Sequence, residues 1–208
     1  MKNYRYNNGF TLIELLVALI VTSIVTTAVV TLAYAMSSAG DATDDMSRKQ
    51  AQVRFATVRV SDLIRHCKLV CYASADEMAV WRADDKPKDG KINIGELTYI
   101  KAGAAHDNLQ LYTFSGSAEI SLGWIGALAT NWWSAYGNLD DPLSLIPECS
   151  NVTFYIDDLV SPTKSRLVSI TFDVVENDAT CQYQINAMLR GWAGNLLDAS
   201  GNIVSDDD

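Results

Sequence analysis

From Phe10 to Met36 the chain runs 27 residues with one charged side chain, Glu14, and none follows until Asp41. As a helix rising 1.5 Å per residue this run is about 40 Å long, against roughly 30 Å of bilayer hydrocarbon. It is long enough to span a membrane, yet it carries a carboxylate near its start. That placement costs about 2.5–3.5 kcal/mol even on the lenient insertion scale, so something must compensate for Glu14. The eight residues before Gly9 hold Lys2 and Arg5 and no acid. The positive-inside rule leaves them in the cytoplasm and sends the remainder out, and such a basic leader is a processing signal rather than structure. A cut after Gly9 makes a free, cationic α-amine that can offset Glu14. The competing reading is an uncleaved signal anchor whose Glu14 reaches back to the interface.

The leader ending in Gly9, followed by Phe10-Thr11-Leu12-Ile13-Glu14-Leu15-Leu16-Val17-Ala18, resembles the signature of the type IV pilin superfamily. The resemblance implies that a membrane prepilin peptidase cuts between Gly9 and Phe10 and methylates Phe10, and that Glu14 pairs with the amine of a neighbouring subunit. A buried ion pair adds little stability, but leaving one partner alone is costly, so Glu14 acts mainly as a register device. Many major pilins carry a proline late in this stretch. None is present here, which leans toward a minor subunit.

Removing residues 1–9 leaves 199, and the formal net charge of −9 becomes −11 once Lys2 and Arg5 are gone. That length suits one membrane helix and one exported domain of roughly 150 residues. An acidic domain is poorly suited to phosphate backbones, so no nucleic-acid partner is expected. Residues 10–36 form the membrane and filament-core helix. Residues 37–71 continue it as an amphipathic half, with Met46, Val53, Val60 and Cys67 recurring every seventh position on the side that packs on a domain. A continuous helix from Leu12 to about Leu69 is expected.

Beyond Cys71 the period shifts toward two, and residues 72–192 read as an antiparallel sheet domain. The strand candidates are Met78–Ala83, Glu96–Lys101, Leu109–Ser115, Val152–Asp157, Leu167–Val175 and Cys181–Leu189. The fold class is α+β: a long N-terminal helix packed against an antiparallel β-sheet, as in pilins. An insertion at about 116–148, with Trp124, Trp132, Trp133 and Tyr136, fits the sheet worst and reads as one or two helical turns. Its rings either cover the sheet or form a contact patch for a neighbour. Residues 193–208 form a loose acidic tail.

The loop from Asp85 to Glu96 follows the calcium-loop template in part. Asp85, Asp89, Asn93 and Glu96 are the candidate calcium ligands, although Pro87 stands where a third-position ligand belongs. Its other reading is a hairpin turn on Asp89-Gly90 joining Val80-Trp81 to Leu97-Thr98-Tyr99. Four cysteines in an exported domain point to disulfides. Cys67 and Cys71, four apart on the expected helix, are each expected to pair with Cys149 or Cys181 on the sheet side. A metal site using His66 is the alternative. The adjacent acids Asp140-Asp141 and Asp157-Asp158 do not make a catalytic dyad, and with two histidines, His66 and His106, no enzyme site is visible.

The layout resembles the larger minor pseudopilins of type II secretion systems, or minor pilins built similarly, with Leu167–Leu189 as the closing hairpin. The partners implied are other pilin or pseudopilin subunits, prepilin peptidase, an inner-membrane assembly platform and membrane lipid. The location implied is a single pass of the inner membrane with the domain in the periplasm, and then the filament. The competing function is a membrane-tethered exported binding module, adhesive or calcium-binding, using the same route.

Overall fold

The computed structural model describes residues 11–84, 90–125, 132–177, 179–191 and 196–197. The chain divides into two compact units, Met1–Ser47 and Arg48–Asp208. One helix, α1 (Leu12–His66), contributes to both. In the first unit its large apolar side chains are exposed, from 51% at Leu16 and Ile20 to 82% at Leu12. The hydroxyls of Thr22, Thr26, Thr27 and Thr31 donate to carbonyls three or four residues earlier, so these polar groups are satisfied without water. This is the one helix among the described residues long and apolar enough to cross a membrane.

In the second unit α1 buries Val53, Ala56, Val60 and Ile64. The spacing is that of an amphipathic helix with one face on a core. Arg65 and His66 occupy the last turn, where positive charge opposes the helix dipole. The helix stops earlier than the spacing suggests. Cys67 N still donates to Leu63 O, but Lys68 N donates to Trp81 O, and the chain becomes strand β1 (Leu69–Ala73). Leu69, Val70 and Cys71 are all buried, and a short apolar run buried on both faces shows no period that separates strand from helix.

Among the described residues the antiparallel strands that the helix packs against fall into two sheets. The first has six strands. β1, β2 (Glu77–Trp81), β3 (Leu97–Ala102), β4 (Leu109–Ser115) and β5 (Asn138–Leu139) lie in that order, and β6 (Leu143–Ile146) also pairs with β4. The second has three strands: β7 (Ser150–Ile156), β8 (Leu167–Glu176) and β9 (Ala179–Met188). The expected hairpin across the 85–96 loop is formed, with Val80 opposite Thr98 and Trp81 opposite Leu97. The closing hairpin is also formed, running from Leu167 opposite Met188 to Glu176 opposite Ala179.

Two cores result. In one, the buried face of α1 meets Val80, Ile100 and Leu111 of the first sheet and Phe154, Ile170 and Phe172 of the second. In the other, the opposite face of the first sheet, with Trp81, Tyr99 and Phe114, is covered by Ile120, Ile125 and Trp132 of the insertion. β3 is therefore buried on both sides. Each fully buried large apolar side chain contributes about 1.5–3 kcal/mol. The insertion does contain helical turns, at Leu122–Trp124 and Trp132–Ala135. It also supplies β5 and β6, which the two aspartates and the prolines had masked.

Candidate functional site

The helix start is built from Thr11 and Glu14. Thr11 N and Thr11 Oγ1 donate to Glu14 Oε2 at 3.1 and 2.9 Å, and Glu14 N donates to Thr11 Oγ1 at 3.4 Å. This is the reciprocal capping box of a Thr-x-x-Glu sequence, which satisfies orphan amides at a helix N-terminus. Thr11 is a functional neighbour that the reading of Glu14 as a lone acid missed, although the four-residue pattern signals it. Both bonds fall on one oxygen. An ionised carboxylate offers about four acceptor positions, so Glu14 retains capacity for a cationic amine. Gly9 and Phe10, the residues of the expected cut, lie outside the described residues.

The calcium candidates divide. Asp85 and Asp89 lie outside the described residues. Asn93 and Glu96 are 2% and 1% exposed, and they cap the turn Ile94–Glu96: the Asn93 side chain accepts from the Glu96 amide while Glu96 accepts from the Asn93 amide. Glu96 Oε2 takes that amide at 3.2 Å and the indole N–H of Trp81 at 3.1 Å. The oxygen expected to close a metal site thus serves the packing of Trp81. Among the described residues no group of three or more His, Cys, Asp or Glu is placed to hold a metal ion.

The cysteines are placed differently from the pairing expected. All four are free thiols, and Cys71 stands on β1 rather than on the helix. Lys49 Nζ donates to Val175 O at one end of α1 in this unit, and Arg190 N donates to Arg65 O at the other. These two points are about 24 Å apart along the helix. Cys67 lies at the Arg65 end. Cys181, opposite Val174, and Cys149, beside Lys49 in one cavity wall, lie at the Lys49 end. A disulfide needs Cα atoms within about 7 Å, and this separation sets Cys67 apart from Cys149 and Cys181. Burial pushes the Cys67 thiol up to about 12. Burial, then the nearby Asp107, does the same to Cys149, also to about 12. Burial and the adjacent Cys67 raise Cys71. Thiols held protonated are poor nucleophiles and poor metal ligands.

The aromatic group of the insertion is largely structural. Trp132 stands edge-on to Tyr99 at 6.0 Å and to Trp133 at 5.5 Å, the T-shaped geometry that aromatic pairs favour. Trp124 departs from the group and is 53% exposed. The acid pairs hold loops. Asp157 Oδ1 accepts from the amides of Arg166 and Leu167, and Asp158 Oδ1 accepts from Val160 and Ser161. Partial burial disfavours the charged form of Asp157, but those amides outweigh it and hold the carboxyl below its usual range. Asp140 accepts from Thr113 Oγ1 at 2.9 Å.

Residues 4–30 match the prokaryotic N-terminal methylation motif, the signal of type IV pilins and pseudopilins. No curated protein and no solved structure matches the chain.

Proposed function

We propose that this chain is a minor pilin or pseudopilin, cut between Gly9 and Phe10 by prepilin peptidase, methylated on Phe10, and assembled through its N-terminal helix. The filament is a type II secretion pseudopilus or a type IV pilus. The domain then stands on the periplasmic side of the inner membrane, and the neighbours are other subunits and the assembly platform. The carrying observation is the methylation signal over residues 4–30, running into a helix whose large apolar side chains lie exposed through Met36. Such surface has to be covered by lipid in the membrane and by other helices in a filament. The domain size and the proline-free span favour a minor place. The signal marks structural subunits, which supports a mechanical role over an enzymatic one.

The chemistry asked of the chain is small. Glu14, held by Thr11, presents a carboxylate where a subunit arriving with a free cationic terminus can meet it. The pair sets the stagger, because a misplaced neighbour leaves two charges unpaired in an apolar surrounding. Glu14→Ala is expected to leave membrane insertion and domain folding intact and to reduce incorporation into filaments at least tenfold, measured on sheared filament fractions. Normal incorporation of that variant would overturn the role assigned to Glu14.

A further inference from the structure

We propose that the outward face of α1 between Arg48 and His66 docks a second copy of this chain, which meets it with the acidic rim formed by Asp107, Glu148 and Asp173. This names one contact within the assembly reading above and rests on that reading.

Charge is segregated within the domain. Arg48 to His66 carries Arg48, Lys49, Arg54, Arg59 and Arg65 against Asp62 alone, five of the chain's 16 basic side chains and one of its 25 acids. The remainder of the chain is therefore more acidic than the total of −9. At about 100° per residue, the exposed positions fall within an arc of roughly 140°, opposite the buried Val53, Val60 and Ile64. At the centre of this arc Phe55 and Val58 are 50% and 69% exposed, with Arg54, Arg59 and Arg65 around them, all exposed. None of these side chains belongs to either core. Asp62 lies on the same arc, 3.1 Å from His66 Nδ1, so the face is apolar side chains flanked by three arginines and one acid, and exposed aromatic and arginine side chains together are enriched at interfaces.

The face extends beyond the helix. Arg59 of α1 and Arg82, just past the end of β2, line a groove of about 200 Å³ with Asp62, His66 and Thr98, a place where an incoming carboxylate meets a guanidinium on each side. The matching acids are on the same chain. Asp107, Glu148 and Asp173 line a cleft of about 330 Å³. Within it the Lys49 ammonium is directed to Val175 O, and Asn151 donates to Asp173. Asp107 and Glu148 are exposed. Three carboxylates against the single ammonium of Lys49 leave the cleft acidic on balance, and a concave surface with an excess of one sign favours an opposite partner. The two faces are different surfaces, so the contact is heterologous and leaves each end free for another copy. It needs only two adjacent copies and so suits a minor subunit as well as a principal one.

The test uses the processed full-length chain in detergent, with self-association followed by analytical ultracentrifugation. Arg54→Glu with Arg59→Glu, and separately Asp107→Lys with Glu148→Lys, are each expected to weaken self-association at least tenfold. Mixing the two variants, or combining all four substitutions in one chain, is expected to restore it, because opposite charges then face each other again. Recovery in the fourfold variant also shows that the loss was not misfolding. Wild-type association by either double variant, or no recovery in the fourfold variant, would overturn the proposal. So would anionic phosphatidylglycerol vesicles or duplex DNA binding the Arg54/Arg59 face while self-association ignores it. If the wild-type chain enters no filament, the assembly reading fails. If it enters filaments and Arg54→Glu/Arg59→Glu enters them equally well, this inference alone fails.

Discussion

The same helix is apolar in two different ways. Through its first unit, Leu12 to Met36 present large side chains all round, none of those from Leu12 to Ile24 less than 51% exposed. Through its second, Val53, Ala56, Val60 and Ile64 are between 0% and 7% exposed and the charges lie opposite. One backbone geometry thus serves two solvents. The second half finds its apolar environment within its own chain, so its cost and gain are settled at folding. The large apolar side chains of the first half stay exposed among the described residues, and under the proposed function that surface is what insertion and association cover. Glu14 belongs to the half that is incomplete alone, and Glu96 to the half that is complete, though both close a capping box at a helical start.

That contrast can be broken at its strongest point. Ile64→Ala is expected to cost about 2–5 kcal/mol of domain stability, the usual range for a truncated core aliphatic. At roughly 2–4 °C per kcal/mol for a chain of this size, thermal unfolding in detergent reads it easily. Ile24→Ala is expected to leave the same transition within about 0.5 kcal/mol. Equal effects from the two would mean that the halves do not differ as described. A smaller effect is expected at Glu96. Glu96→Ala leaves the Trp81 indole and the Asn93 amide without the acceptor they share, costing about 1–3 kcal/mol, read as a lowered unfolding temperature and a change in tryptophan fluorescence.

The smallest effect sharpens the surface of the domain. The folded-state carboxyl of Asp157 is held below its ordinary value, so the stability it contributes is present above about pH 4 and is lost as pH falls through the folded value. Asp157 is largely solvent-exposed, and exposed groups of this kind contribute below about 1 kcal/mol. Asp157→Asn is expected to lower the unfolding temperature slightly at pH 7, with the difference from the wild type shrinking as pH falls below about 4. A difference that grows toward acid would contradict the assigned hydrogen bonds.

Local chemistry was the legible part of this chain. The alternation in Leu109–Ser115 and Leu167–Glu176 marks strands because one face of each meets the core. The heptad Val53, Val60, Cys67 marks a helix face for the same reason. β1 was hidden because Leu69, Val70 and Cys71 are buried on both sides, and β6 because Leu143–Ile146 is a short run between two prolines. The placement of the cysteines depends on which end of α1 meets which end of β9, a long-range choice that no spacing records. Glu96 fits a metal-loop template by position, but burial beside Trp81 decides its use. The Thr11 cap was written plainly in Thr-x-x-Glu and was overshadowed by the charge it holds.

The central claim is that Glu14 is tolerable in an apolar helix because processing creates a cationic chain end for it to meet. Intact-mass and N-terminal peptide analysis of the chain produced alongside its prepilin peptidase tests this most directly. The account predicts a mature chain beginning at Phe10 and heavier there by one methyl group. A chain that still begins at Met1, with the active peptidase present, would contradict it.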